Sequence, residues 1–200
     1  NSVINKNMSK PLVIVESPTK VKTISKILGP DYIVKSSVGH IRDLPRNTKS
    51  IPSKFDSKKI LWGAVKPGNF ENIYDIPEDR KKIVSELKEI ADTAPEVYLA
   101  TDDDREGEAI AYHLKEALEI KGEPKRIKFN EITESAVTKA MSNPDTIDVG
   151  KFKSYEARRT LDRMIGYEIS PKVRDLGGAF ISTGRVLSLI HISEPTRRLA

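Results

Sequence analysis

The sequence predicts an α/β domain built on a mainly parallel sheet, and three observations carry that prediction. Leu12-Val13-Ile14-Val15 is short, β-branched and apolar on both faces, as a strand buried in a parallel sheet is. Val97-Tyr98-Leu99-Ala100 has the same character and runs through a tight acidic turn into the helical spacing Ile110, Ala111, Leu114, Ala117, Leu118. Around these two runs, segments of strand and helix character alternate. That order places crossover helices against a parallel sheet.

The elements follow in order. Asn1–Lys10 is polar and lacks the apolar core of a signal peptide, so residues 1–10 read as a disordered leader. After the first strand, Glu16-Ser17-Pro18-Thr19-Lys20 turns the chain. Val21, Ile24, Ile27 and Leu28 then recur at helical spacing until Gly29-Pro30 stops them. Tyr32–Ser37 reads as a second strand, followed by the structured loop Gly39–Pro45. Residues 46–78 are irregular, with prolines and lysines; a segment of this length is an insertion or an active-site loop. Trp62 and Phe55 suit its anchoring, although a basic loop with an aromatic also suits nucleic acid. Ile83, Val84, Leu87, Ile90 and Ala91 form one apolar stripe on a helix spanning Arg80–Ala91. Beyond the acidic turn, Arg126–Phe129 alternates like a half-exposed strand. Thr133 suits the N-cap of a helix through Met141. A second, helical unit is expected from about residue 147, with a helix from about Lys151 that ends at Gly166.

Composition bounds the function. With 38% hydrophobic and 32% charged residues the chain has the content of an ordinary soluble globular protein. A net charge of +5 leans mildly towards polyanions. The absence of cysteine excludes disulfides and thiolate metal sites and fits a reducing, cytoplasmic setting. No apolar run approaches the length of a membrane span.

The chemistry concentrates at two turns. Asp102, Asp103 and Asp104 end a strand together, a costly arrangement unless a cation or basic groups sit among them. Alternation lets Asp102 and Asp104 converge, with Glu106 joining at the turn, and all-oxygen ligation suits Mg²⁺. The competing reading is a solvated loop whose acids favour a helix N-terminus. If the first strand neighbours this one, Glu16 enters the same space. One carboxyl there would then have a raised pKa, suited to general acid work, and Lys20 would offer a cation to a phosphate. Arg158, Arg159, Asp162 and Arg163 form either a solvated helix face, with Arg158 and Asp162 as a pair, or a phosphate-facing one.

Leu12–Lys20, Ser37-Val-Gly-His-Ile-Arg-Asp-Leu-Pro45, Tyr98–Ala111 with its Asp-x-Asp-x-Glu-Gly, Arg126–Thr133, Ala157–Tyr167 and Ser182-Thr-Gly-Arg-Val186 resemble, in order, the N-terminal part of the type IA DNA topoisomerases. The resemblance implies a Toprim domain over residues 11–146, with a four-stranded parallel sheet between helices, and the start of a helical domain over 147–186. It implies Mg²⁺ at Asp102, Asp104 and Glu106, with Glu16 as a further ligand or the proton-transfer group. Lys20 is placed beside the scissile phosphate and Arg105 within the acidic motif. His40, Arg158, Asp162 and Arg185 are placed at the active site or along single-stranded DNA. The implied activity is ATP-independent relaxation of negatively supercoiled DNA through a 5′-phosphotyrosine, by a monomer acting at the nucleoid. None of the six tyrosines matches the family's nucleophile, so the chain is expected to be an inactive fragment of such an enzyme. Residues 187–200 depart from the pattern and read as a non-native tail. The competing assignments are another Toprim enzyme, a primase or OLD-type nuclease, and a non-catalytic nucleic-acid-binding module.

Overall fold

The computed structural model describes residues 10–129 and 131–177. Arg185, the expected tail and nearly all of the expected leader lie outside them. The regular elements are β1 (Leu12–Val15), α1 (Pro18–Leu28), β2 (Ile33–Ser36), α2 (Glu78–Thr93), β3 (Val97–Ala100), α3 (Arg105–Ala117), β4 (Lys125–Ile127), α4 (Glu134–Ser142) and α5 (Val149–Gly177).

The four strands form one parallel sheet in the order β2-β1-β3-β4. Every residue of β1 and β3 is buried because helices cover both faces. Leu12 and Ile14 pack with Leu99, with Val84 and Leu87 of α2, and with Ile110 and Leu114 of α3. Val13 and Val15 point the other way and pack with Ile24 of α1, Tyr98, Ile127 and Phe129. Each fully buried aliphatic side chain contributes roughly 1.5–3 kcal/mol, so the central strands anchor the fold. Thr133 caps α4, its Oγ1 accepting from the Ala136 amide.

Two expectations are corrected. The strand expected at Arg126–Phe129 is the three-residue β4, and Arg126 is wholly buried rather than on a half-exposed face. Its donors find partners inside, as described below, so its charge does not need water. The helix expected to end at Gly166 runs on through Gly166 and Pro171 to Gly177. A glycine inside a helix costs only about 1 kcal/mol against alanine, and nothing at Gly166 requires a turn.

The described chain divides into two compact units. One takes the residues up to Asp43 with Asp75–Tyr155, and carries the sheet. Asp43 and Asp75 pair as a backbone bridge where the chain leaves this unit and returns. The other takes Leu44–Tyr74, most of the expected 46–78 insertion, with α5 from Glu156 onward. Its own small core is Leu44, Ala64 and Val65, with Leu61, Trp62 and Tyr74 against them. Among the described residues no helix is long and apolar enough to cross a membrane.

Candidate active site

The register Val15↔Ala100 brings the ends of β1 and β3 side by side, so the two turns singled out above leave the sheet together. Pro18 opens α1, which sets Lys20 one helical turn after Glu16. The Lys20 ammonium bonds to Glu16 Oε1 and lies 2.6 Å from Asp102 Oδ1, bridging the two turns. Glu16 and Asp102 therefore face one space.

The acidic turn is held from below. Thr101, fully buried, donates from Oγ1 to the Gly107 carbonyl at 2.6 Å. Asp104 caps α3, its Oδ1 accepting from the Gly107 amide at 2.7 Å. Gly107 has no room for a side chain: a Cβ there would collide with the Asp102 carbonyl oxygen and lie 2.9 Å from its nitrogen. Beneath the turn runs a buried ion pair. Arg126 Nε donates to Glu108 Oε2 at 3.2 Å, and both side chains are fully buried. Its other nitrogens donate to the carbonyls of Leu99, Thr101, Ile127 and Asp102. Glu108 Oε1 accepts from the Asp148 amide at 2.6 Å.

The remaining site residues ring this turn. His40 Nε2 is 2.9 Å from Glu106 Oε2, and the Gly39 amide donates to the Glu16 carbonyl. Gly39 takes φ +81°, where glycine is the residue without strain. Asp103 turns away from Asp102 and pairs with Lys151 of α5 at 2.6 Å. Arg105 is exposed at the first position of α3 and makes no ion pair among the described residues. Arg158 and Asp162 belong to the second compact unit. Sequence reasoning missed Arg126, Gly107, Thr101, Lys151 and Glu108. A signal for Glu108 was present: it precedes Ala111 by three positions and Leu114 by six, on the buried stripe of α3.

Burial raises the Glu16 carboxyl pKa, and the neighbouring Asp102 adds to that against the pull of Lys20. At Asp102 burial also pushes upward, but the hydrogen bonds with Lys20 and Glu16 outweigh it and the net shift is downward. The two carboxyls are thus driven apart, one towards the acid and one towards the anion. The signs for stability are opposite. A raised folded pKa means that stability falls as pH climbs from the ordinary carboxylate range through the folded value. Asp102 contributes stability that is lost as pH falls through its lowered value. The difference in Tm, wild type minus Glu16→Gln, should therefore decrease from acid to neutral pH; a difference independent of pH in thermal scans would contradict the Glu16 assignment.

The oxygen donors of Asp102, Asp104 and Glu106 fit Mg²⁺, which takes one or two carboxylates and completes its shell with waters and substrate phosphate. Among the described residues no three potential ligands already surround one point. Asp102 is engaged by Lys20, Asp104 by the helix cap and Glu106 by His40.

A parallel four-stranded sheet with paired carboxylate turns at its carboxyl end defines a class, and the comparison agrees. The Toprim domain model matches residues 11–132, and the chain belongs to that family. Within it, the chain is 48% identical to the DNA topoisomerase 1 of Mycolicibacterium smegmatis over 89% of this chain and 19% of that protein. It is 45% identical to the DNA topoisomerase 1 of Escherichia coli over 91% of this chain and 23% of that one. The full-length topoisomerase I structure from Thermotoga maritima superposes with a TM-score of 0.74 at 38% identity, covering 88% of this chain and 28% of that chain. The chain spans about a fifth of the length of the curated relatives it matches. The similarity to DNA topoisomerase 1 read from the motifs thus extends over most of the chain.

Proposed function

We propose that this chain supplies the metal-binding and proton-transfer half of a type IA DNA topoisomerase site, in an enzyme that relaxes negatively supercoiled DNA by cutting and resealing one strand. The observation that carries the reading is Lys20 bridging Glu16 and Asp102 across the ends of β1 and β3. In this scheme a tyrosine of the complete enzyme attacks phosphorus and becomes a 5′-phosphotyrosine. Glu16, held towards its acid form, donates its proton to the departing 3′-oxygen and recovers it on resealing. The Lys20 ammonium faces the phosphate oxygens as charge builds there. Asp102, Asp104 and Glu106 would hold Mg²⁺, with Glu16 as an alternative ligand when it is not the proton donor, and the ion would supply electrostatic stabilisation of the phosphate. Arg105 belongs with Glu16 and Lys20 to the catalytic set, and His40, Arg158, Asp162 and Arg185 contact the single-stranded segment. The enzyme is a monomer acting on DNA in the cytoplasm, at the nucleoid.

The 200-residue polypeptide should bind Mg²⁺ in calorimetric titration, and Asp102→Asn with Asp104→Asn should abolish that binding. Supercoiled plasmid should stay supercoiled with this polypeptide, since none of its tyrosines matches the nucleophile. In the complete enzyme, Lys20→Ala should lower the cleavage rate about 10²–10³-fold, the scale of losing one group that stabilises transition-state charge. Relaxation by the 200 residues alone would overturn the reading. Metal-dependent nicking without a covalent protein–DNA adduct would replace it with a hydrolytic Toprim activity.

A further inference from the structure

The charge of this chain is not spread evenly. Leu44–Tyr74 holds six basic residues (Arg46, Lys49, Lys54, Lys58, Lys59 and Lys66) against two acids, Asp56 and Glu71. That is a net +4 in a chain whose total is +5. Lys49, Lys54 and Lys58 are exposed, and none forms an ion pair among the described residues.

Within the same segment two large aromatics hold backbone conformations that their side chains disfavour. Trp62 has φ +49° and Phe70 φ +54°, the left-handed region that bulky residues rarely enter. Such strain persists only where the surroundings enforce it. Here Trp62 is fixed from α5, its Nε1 donating to Glu168 Oε1 at 3.0 Å. Gly63 beside it leaves room for Tyr167, whose hydroxyl would lie 3.1 Å from a Cβ there. Phe70 then lies nearly parallel to the Trp62 ring, at 18° with centroids 6.5 Å apart. It is 59% exposed, the largest exposure among the large hydrophobics described. The Lys66 amide donates to the Glu71 carbonyl, next to Phe70, and the Lys66 ammonium sits 5.6 Å from the Phe55 ring with that of Lys54 at 5.2 Å. A core would not leave Phe70 in water. An exposed ring beside Trp62 in a lysine-rich segment has the chemistry of a base-stacking platform along a phosphate chain.

We propose that Trp62 and Phe70 form a stacking platform for an unpaired base, and that Lys49, Lys54 and Lys58 hold the flanking phosphates of a single strand. The site lies outside the carboxylate turns. Its link to topoisomerase action rests on the proposed function, but its binding does not.

Trp62 is the chain's one tryptophan, so its fluorescence reports this site alone. Titrating the 200-residue chain with a short oligothymidylate should quench it, and the affinity should fall as salt rises, as it does when phosphates displace counterions. Phe70→Ala should weaken binding about tenfold, while Phe70→Tyr keeps a ring in place and should retain it. Lys49→Glu with Lys58→Glu should weaken binding and flatten the salt dependence. Asp102→Asn should leave the quenching intact, and Phe70→Ala should leave Mg²⁺ binding intact, so failure here is distinguishable from failure of the carboxylate site. Unquenched Trp62, equal binding by Phe70→Ala, or duplex bound as tightly as the single strand would each overturn the platform.

Discussion

Arg126→Met should be among the most damaging substitutions in the chain, costing about 3–5 kcal/mol of stability. The arginine is fully buried, and its removal leaves the equally buried Glu108 without a counter-charge. It also strips a donor from the carbonyls of Leu99, Thr101, Ile127 and Asp102, of which Leu99 lies in β3 and Thr101 and Asp102 lead from it into the acidic turn. Each orphaned buried acceptor adds its own desolvation cost. For a chain of this size the loss corresponds to a fall in Tm of roughly 6–20 °C. Glu108→Gln leaves the buried Arg126 charge unpaired in its turn, but should cost less, because the guanidinium keeps its four backbone carbonyl acceptors and an amide oxygen still accepts from the Asp148 amide. The double variant Arg126→Met, Glu108→Leu should be less destabilised than the sum of its single changes, since neither charge is then left alone. Denaturant unfolding of the four proteins forms the cycle; strict additivity would show that the pair does not act as a unit.

The sheet and the first helices were legible because burial imposes periodicity. Leu12–Val15 is apolar at every position only because helices cover both faces, and that pattern is visible without coordinates. The meeting of Glu16, Lys20 and Asp102 followed once β1 and β3 were taken as neighbours, since turns at the carboxyl ends of adjacent parallel strands share one space. Arg126 was not legible. Local alternation reads a charged residue as exposed, and only the tertiary arrangement reveals five partners waiting inside. The irregular 46–78 segment was expected to be an insertion or an active-site loop, but its aromatics carry no period. Their strained φ values and the fixing of Trp62 by Glu168 come from contacts more than one hundred residues apart. The end of α5 was misread because Gly166 is a statistical stop signal, whereas the helix is decided by what its backbone and faces contact.

Gly107 and Gly166 offer the same substitution in two helices, with opposite expected results. Gly166→Ala places a methyl group in open space on α5 and removes the entropic cost of a helical glycine, so it should stabilise by about 0.5–1 kcal/mol. Gly107→Ala has the same propensity gain but meets the Asp102 backbone, with the carbonyl carbon at 3.0 Å and the oxygen closer still. Backbone cannot swing aside as a flexible side chain can. Nor can Gly107 retreat, since its carbonyl is held by Thr101 and its amide by Asp104. Either α3 or the acidic turn must move, at a net cost of about 1–3 kcal/mol. The displacement falls on the segment that sets Asp102, Asp104 and Glu106 relative to Lys20. Mg²⁺ affinity should therefore drop with stability in Gly107→Ala, while Gly166→Ala leaves affinity unchanged and raises Tm. If Gly107→Ala melted above the wild type and bound Mg²⁺ normally, the close approach of α3 to the acidic turn would not be what fixes the site.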